Sequence, residues 1–289
     1  MSAVPSVQSK PWVTGWTAAN PLKMGYNLAP AGSPYVPGPL KGFVYRDLGL
    51  TKASFGKLSA QLVRLDGKSE SAFSEWRAYD VDFHFFYIWK GSCRMENEAG
   101  QSMKLDRGVA AWQPPLLRHR LYDFSPDFEM YEMFGQADPK AIVGRDAALP
   151  ARAKDFAGQK GQYLFETPES FVQGAGPRKF FLYRDLGTRG PSDGRIHIHI
   201  VHATQEMKGE GGTGWHVHSM RQLFWVFAGS AGFTIDADPN MKRVVAGDSV
   251  CLGDGMKHNV PNMDADYRLI EVCIPADYST TDVTAPAGM

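Results

Sequence analysis

Apolar and polar residues alternate in short runs along most of the chain. "RIHIHIVHA" (residues 195–203) keeps a period of two, and "GFTID" (232–236) ends at the turn residues "ADPN". "KRVVAGDSVCL" (242–252) breaks at a Gly-Asp turn, and "YRLIEVCI" (267–274) is apolar and β-branched. A period of two places alternate side chains on opposite faces of a strand, and Gly, Asp and Asn between the runs mark turns. Helical periodicity is weak by comparison. The pattern predicts an all-β protein of many short strands, built as a barrel or double sheet that protects its edges. The first 40 residues differ, holding seven of the 19 prolines and little alternation. They read as an extended arm, with Trp12, Trp16, Tyr26 and Tyr35 giving it apolar surface to pack with.

The pattern then repeats itself. "FVYRDLGL" from Phe43 returns as "FLYRDLGT" from Phe181, an offset of 138 residues, and "FYIWKGS" from Phe86 lies over "FWVFAGS" from Phe224 in the same register. After one inserted residue, Gly108 and His119 lie over Gly247 and His258, and "DFEMYEMFGQAD" from Asp127 lies over "DYRLIEVCIPAD" from Asp266. A register that survives this far predicts two copies of one domain. The expected boundaries are an arm at 1–40, a first barrel at 41–139, a linker with one short helix at 140–178, and a second barrel at 179–289.

Charge narrows the partners. The 31 basic and 31 acidic residues cancel, and no block of like charge stands out, so nothing marks a nucleic-acid or anionic-membrane surface. The three cysteines, Cys93, Cys251 and Cys273, are odd in number and sit within apolar runs, as expected of buried free thiols in a reducing cytoplasm. No apolar stretch has signal-peptide or membrane-span length.

Candidate chemistry concentrates in the second copy. His216 and His218 lie two positions apart and share a strand face, with Met220, Gln222 and Phe224 continuing it. Two imidazoles buried together pay desolvation twice unless a shared partner compensates, and a metal ion is such a partner. His258 closes the run "GDSVCLGDGMKH", which can return beside them.

The spacing H-x-H-x3-Q-x6-G (His216, His218, Gln222, Gly229), followed by G-x5-G-x-G-x2-H-x3-N (Gly247, Gly253, Gly255, His258, Asn262), resembles the paired motifs of the cupin superfamily. Gln222 stands where most cupins have glutamate, and Gly253 where proline is common. The resemblance spans about 42–135 and 180–278, which is similar to a bicupin: two tandem jelly-roll barrels. It implies a divalent ion held by His216, His218 and His258. Gln222 would be a fourth ligand or would orient a substrate oxygen, and Met220 and Phe224 would form the pocket floor.

By the repeat offset, Ala78 and Asp80 replace the paired histidines in the first copy, while His84 and His119 remain and, with Asp80 or Asp82, offer a two-histidine, one-carboxylate set. The first barrel is expected to carry a degenerate site without metal, because the pair that anchors the ion is gone. In "RIHIHIVH", His197 and His199 share a face with Arg195, and a half-solvated strand accounts for them. His202 falls on the isoleucine face and is a candidate base beside the metal.

Imidazole ligands suit Fe, Mn, Ni, Zn and Cu. Three neutral imidazoles and an amide leave a divalent ion its full charge, so the site should attract a small anionic substrate. Bicupins with one degenerate half and three histidines are similar to gentisate-type ring-cleaving dioxygenases. That resemblance implies Fe(II), O2 and cleavage of a C–C bond in an oxygenated aromatic or β-dicarbonyl compound. The alternatives are a redox-neutral lyase, decarboxylase, isomerase or hydrolase, and a non-catalytic binding protein. The apolar outer positions Tyr87 and Trp225 suit packing of barrel on barrel, within the chain or in a homo-oligomer.

Overall fold

The computed structural model describes residues 12–17, 20–67, 72–208 and 212–288. Residues 1–11, 18 and 19 of the expected arm lie outside the described residues. The described chain is nearly all β, and its two copies build the same seven-stranded antiparallel sheet. In the first copy the order is Gln162–Leu164, Ala110–Gln113, His84–Lys90, Glu129–Phe134, Ser59–Leu65, Phe43–Asp47 and Val36–Pro37. In the second it is Asn27–Ala29, Ser249–Leu252, Arg221–Ala228, Arg268–Ile274, His197–Ala203, Phe181–Asp185 and Val172–Gln173. Smaller sheets close each barrel; in the second copy the closing strands include His216–His218 and His258–Asn259.

The outermost strands are exchanged between copies. Asn27–Ala29, which precedes the first copy, pairs with Ser249–Leu252 of the second, whereas Gln162–Leu164, which precedes the second, pairs with Ala110–Gln113 of the first. Arg46 donates from the first copy to the carbonyls of Ala31 and Gly247 (2.8 and 2.6 Å), and its repeat equivalent Arg184 meets Glu166 (2.8 Å). The arm is thereby tied to both barrels: Trp16 and Leu22 are buried, Tyr26 donates to Asp238 (3.0 Å), and Tyr35 donates to Glu129. The 140–178 segment is more ordered than a linker requires. It contributes strands Ala141–Val143, Gln162–Leu164 and Val172–Gln173, as well as the short helical turn Ala151–Phe156. Main-chain pairing at a sheet edge needs no hydrophobic alternation, so the sequence pattern does not announce these strands.

Each large sheet is buried on both faces. One face, with Phe85, Tyr87, Tyr131, Ile198, Ile200, Leu223, Trp225, Ile270 and Val272, forms a single core joining the two copies. Trp225 stacks on Tyr131 (centroids 5.6 Å apart, planes at 20°) and meets Trp89 edge-on at 5.7 Å. The opposite faces line the interiors of the two barrels. The three cysteines are free and buried, and no described helix is long and apolar enough to cross a membrane.

Trp225→Ala is expected to destabilise the protein by about 3–5 kcal/mol, because the inter-copy core cannot collapse around so large a void. Urea unfolding monitored by far-ultraviolet circular dichroism checks this; a loss under about 1 kcal/mol would contradict a shared core.

Candidate metal centre

His216 and His218 lie on a three-residue strand whose neighbour is His258, paired directly opposite His216. The ring centroids are 4.8 Å (His216 to His218), 4.2 Å (His216 to His258) and 5.3 Å (His218 to His258) apart. One ligand atom from each lies within 4.8 Å of the others, and all three residues are buried. Every Nδ1 is already engaged: His216 with the Gly214 carbonyl (2.8 Å), His258 with the Met256 carbonyl (3.2 Å), and His218 with the Thr280 hydroxyl (2.9 Å). An Nδ1–H bonded to a carbonyl leaves Nε2 with its lone pair, which is how protein imidazoles are prepared to ligate metal. Burial lowers all three pKa values, to about 4 at His218 and about 3 at His258, where the neighbouring histidines add to the effect. The cluster is neutral, as ligation demands.

The motif glycines have local causes. Gly229 has φ +60°, and a side chain there would meet Asp266 Oδ1 at 2.7 Å. Gly253, at the position where the resemblance leads one to expect proline, lies against the arm: an added Cβ would meet the Met24 carbonyl at 2.5 Å. Asn262 accepts from the Gly232 amide (3.2 Å), a bond that shapes the loop and does not reach into the cavity.

The three histidines open on a cavity of about 70 Å³, lined also by Gln222, Phe224, Phe233, Glu271, Tyr183 and Arg178. Phe233 stacks on His258 (17°, 5.8 Å), a second aromatic wall beside the expected Phe224. Met220 is buried but does not line this cavity. It sits in the bend between strands His216–His218 and Arg221–Ala228, where the chain passes from one sheet to the other and alternation is interrupted.

Glu271, outside the histidine motif spacing, lines the same cavity. It pairs in register with His199 on one neighbouring strand and with Phe224 on the other. His199 Nε2–H donates to its Oε2 (2.6 Å), and the Gln222 amide donates to its Oε1 (2.7 Å). Burial alone would raise its pKa, but the hydrogen bond from His199, with His218 nearby and the Gln222 amide, overcomes burial and holds the carboxyl down at about 2. Gln222 therefore spends its NH2 on Glu271, which leaves its carbonyl oxygen for a ligand or substrate proton.

Two readings of "RIHIHIVH" need correction. The strand His197–Ala203 is solvated only locally: it lies between Phe181–Asp185 and Arg268–Ile274, His199 is buried, and only His197 and His202 are partly exposed. His202 does not reach the metal cavity; it is partly exposed beside Phe171 (6.1 Å), on the face away from His199. His199, not His202, is the histidine near the site. Glu271 was signalled by the repeat, because Glu132 occupies the same position in the first copy.

The first barrel assembles no such ligand set. His84 and His119 approach to 5.4 Å, yet among the described residues neither belongs to a group of three metal-ligating side chains. Asp80 pairs with Arg152 and Asp82 holds Thr14 of the arm. His84 bonds Glu132 (2.8 Å) and stacks on Phe134 (4.4 Å, 8°), while Gln61 donates to the other Glu132 oxygen (2.7 Å). Both copies thus clamp a buried glutamate between a histidine and a glutamine, with the two clamping positions exchanged.

No protein-family model matches the chain, and no curated relative matches it. Solved structures match along most of its length. An oxalate decarboxylase studied for its substrate binding mode and reaction-specificity switch is 16% identical, with TM-score 0.59, covering 90% of this chain and 80% of that one. An oxalate decarboxylase from Bacillus subtilis, studied for its Mn(II) centres, is 14% identical, with TM-score 0.58 and the same coverage. Procruciferin, an 11S globulin from Brassica napus, is 9% identical, with TM-score 0.63, covering 90% and 87%. These likenesses show the fold, an all-β pair of cupin jelly-roll barrels.

His119 yields a pH test. Burial holds its pKa well below 6.5, with Arg77 and His84 adding to the effect. It is neutral when folded and takes up a proton on unfolding below pH about 6.5, so the unfolded state binds more protons and stability falls as pH falls. His119→Gln is expected to flatten the decline in unfolding free energy between pH 6 and 5 by up to about 1.4 kcal/mol per pH unit, one proton's worth. An unchanged slope would contradict a buried neutral imidazole.

Proposed function

We propose that the second barrel is a divalent metal centre held by His216, His218 and His258, and that the protein is a metal-dependent cupin enzyme acting on a small anionic substrate without net oxidation. The observation that carries this reading is Glu271: a buried, ionised carboxylate in the same cavity as the histidines, backed by His199. A redox-neutral lyase or decarboxylase needs a group beside the metal that takes or gives a proton, and Glu271 has the position for it.

The donor set fits a metal, since three neutral imidazoles present unclaimed nitrogens to one point and the Gln222 carbonyl oxygen stands free. Such an ion would supply Lewis-acid charge to a carboxylate or enolate oxygen. Mn(II) is favoured by the structural neighbours, and Fe, Zn, Ni and Cu are open to the same ligands. The rest is work for the chain's own side chains. Arg178, at the cavity and paired with the exposed Asp282 (3.1 Å), attracts an anion to the mouth. Phe224 and Phe233 exclude water, and a volume near 70 Å³ restricts the occupant to a few non-hydrogen atoms. Glu271 takes a proton at Oε1, the oxygen shared with Gln222, only transiently and returns it readily, since its carboxyl is held ionised, while His199 keeps Oε2 occupied.

An Fe(II) dioxygenase, the activity implied by the gentisate-type resemblance, is the second reading on the same ligands. It leaves the Glu271–His199 pair without a task, because iron-oxygen cleavage needs no dedicated base. CO2 release from oxalate and other small dicarboxylates or β-keto acids under anaerobic conditions, against O2 uptake on gentisate, catechol and diketones, separates the two.

Glu271→Gln is expected to lower kcat by about 10²–10⁴-fold while metal content stays near wild type. His258→Ala is expected to empty the centre, and Gln222→Ala to retain much of the metal; elemental analysis after chelator-free purification checks each. Undiminished turnover in Glu271→Gln would overturn the acid-base assignment.

A further inference from the structure

We propose that His197, His199 and Cys273 form a second metal site, on the outer side of Glu271, which takes a borderline or soft divalent ion such as Zn(II). His197 and Cys273 are direct cross-strand partners, and His199 follows on the same strand face. One ligand atom from each lies within 4.8 Å of the others, a limit that the three-histidine cluster also meets. The two rings are 4.6 Å apart. Two imidazoles and a thiolate are a set suited to zinc, with a further position left for water or a ligand.

The hydrogen bonding points the same way. A metal-bound histidine ordinarily donates its other ring N–H to a carboxylate. His199 Nε2 is committed to Glu271 (2.6 Å), which leaves Nδ1 for an ion. His197 Nδ1 is buried without a hydrogen-bond partner, and its Nε2 faces Asp185 at 3.7 Å, a charge contact longer than a hydrogen bond. Cys273 is fully buried, and ion binding would release its thiol proton to solvent. A cavity of about 720 Å³, lined by His197, His199, Asp185 and Tyr278, provides the way in.

The first copy is an internal control. Its equivalent positions are Ser59, Gln61 and Phe134, so the repeat offset replaces all three donors together. Ions bound here would also fix His199 in the tautomer that donates to Glu271, coupling this site to the three-histidine centre through one carboxylate.

The test uses the full, reduced chain loaded with Co(II), reading metal per chain after desalting and the near-ultraviolet thiolate-to-cobalt charge-transfer band. Wild type is expected to hold two equivalents with the band. His258→Ala, which disables the first centre, is expected to keep one equivalent and the band, while Cys273→Ser keeps one and loses the band. His197→Gln, at a less buried position than Cys273, is expected to weaken the band-forming binding at least about 10-fold if Cys273→Ser does not fold. A single equivalent in wild type with no band, or a band that survives both Cys273→Ser and His197→Gln, would overturn the site. One remaining equivalent without the band in His258→Ala would overturn it as well, whereas two retained equivalents with the band there would support this site and contradict the three-histidine centre.

Discussion

Burial of both faces of each large sheet is the constraint on which the rest depends. The two copies press one face of each sheet together through Trp225, Tyr131, Ile198, Ile200 and Val272. Strand side chains alternate, so fixing that face fixes the other. His199, Glu271, Gln222 and Phe224 are thereby turned inward on three adjacent strands, and the registers His199 to Glu271 and Glu271 to Phe224 set them level. A one-residue slip in any of these strands would exchange the polar set for the apolar one. Inter-copy packing energy therefore holds charged groups inside a barrel where, alone, they would be costly.

The two buried glutamates are each satisfied at both carboxylate oxygens. Each glutamate is held by one histidine and one glutamine, Glu271 by His199 and Gln222, Glu132 by His84 and Gln61. Exchanging the two clamping positions leaves the hydrogen-bond count unchanged but has chemical consequences. In the second copy the glutamine is beside the three histidines, with its carbonyl oxygen unspent. In the first, His84 occupies that place and is stacked on Phe134, and the cavity shrinks to about 30 Å³. The first barrel thus supplies the packing partner for the sheet that carries the site.

Alternation, the repeat and the spacing of His216, His218 and His258 made the all-β two-barrel fold and the histidine cluster legible from residues alone. What escaped had physical reasons. Strands such as Gln162–Leu164 pair through main-chain bonds that leave no side-chain pattern. Met220 fell in a bend that period-two counting ignores. Polar alternation looks the same whether a face meets water or a polar cavity, so the sequence does not separate a half-solvated His199 from a buried one. Glu271 sat within an apolar run, and only its alignment with Glu132 marked it as a position both barrels use.

The central claim is that three imidazoles of the second barrel converge on one divalent ion. X-ray absorption fine structure at the manganese edge, on protein loaded with one equivalent of Mn(II), tests it most directly, because a hard ion avoids the thiolate at Cys273. An all nitrogen and oxygen coordination shell is expected, with multiple scattering from three imidazole rings. A shell with one imidazole or none would contradict it.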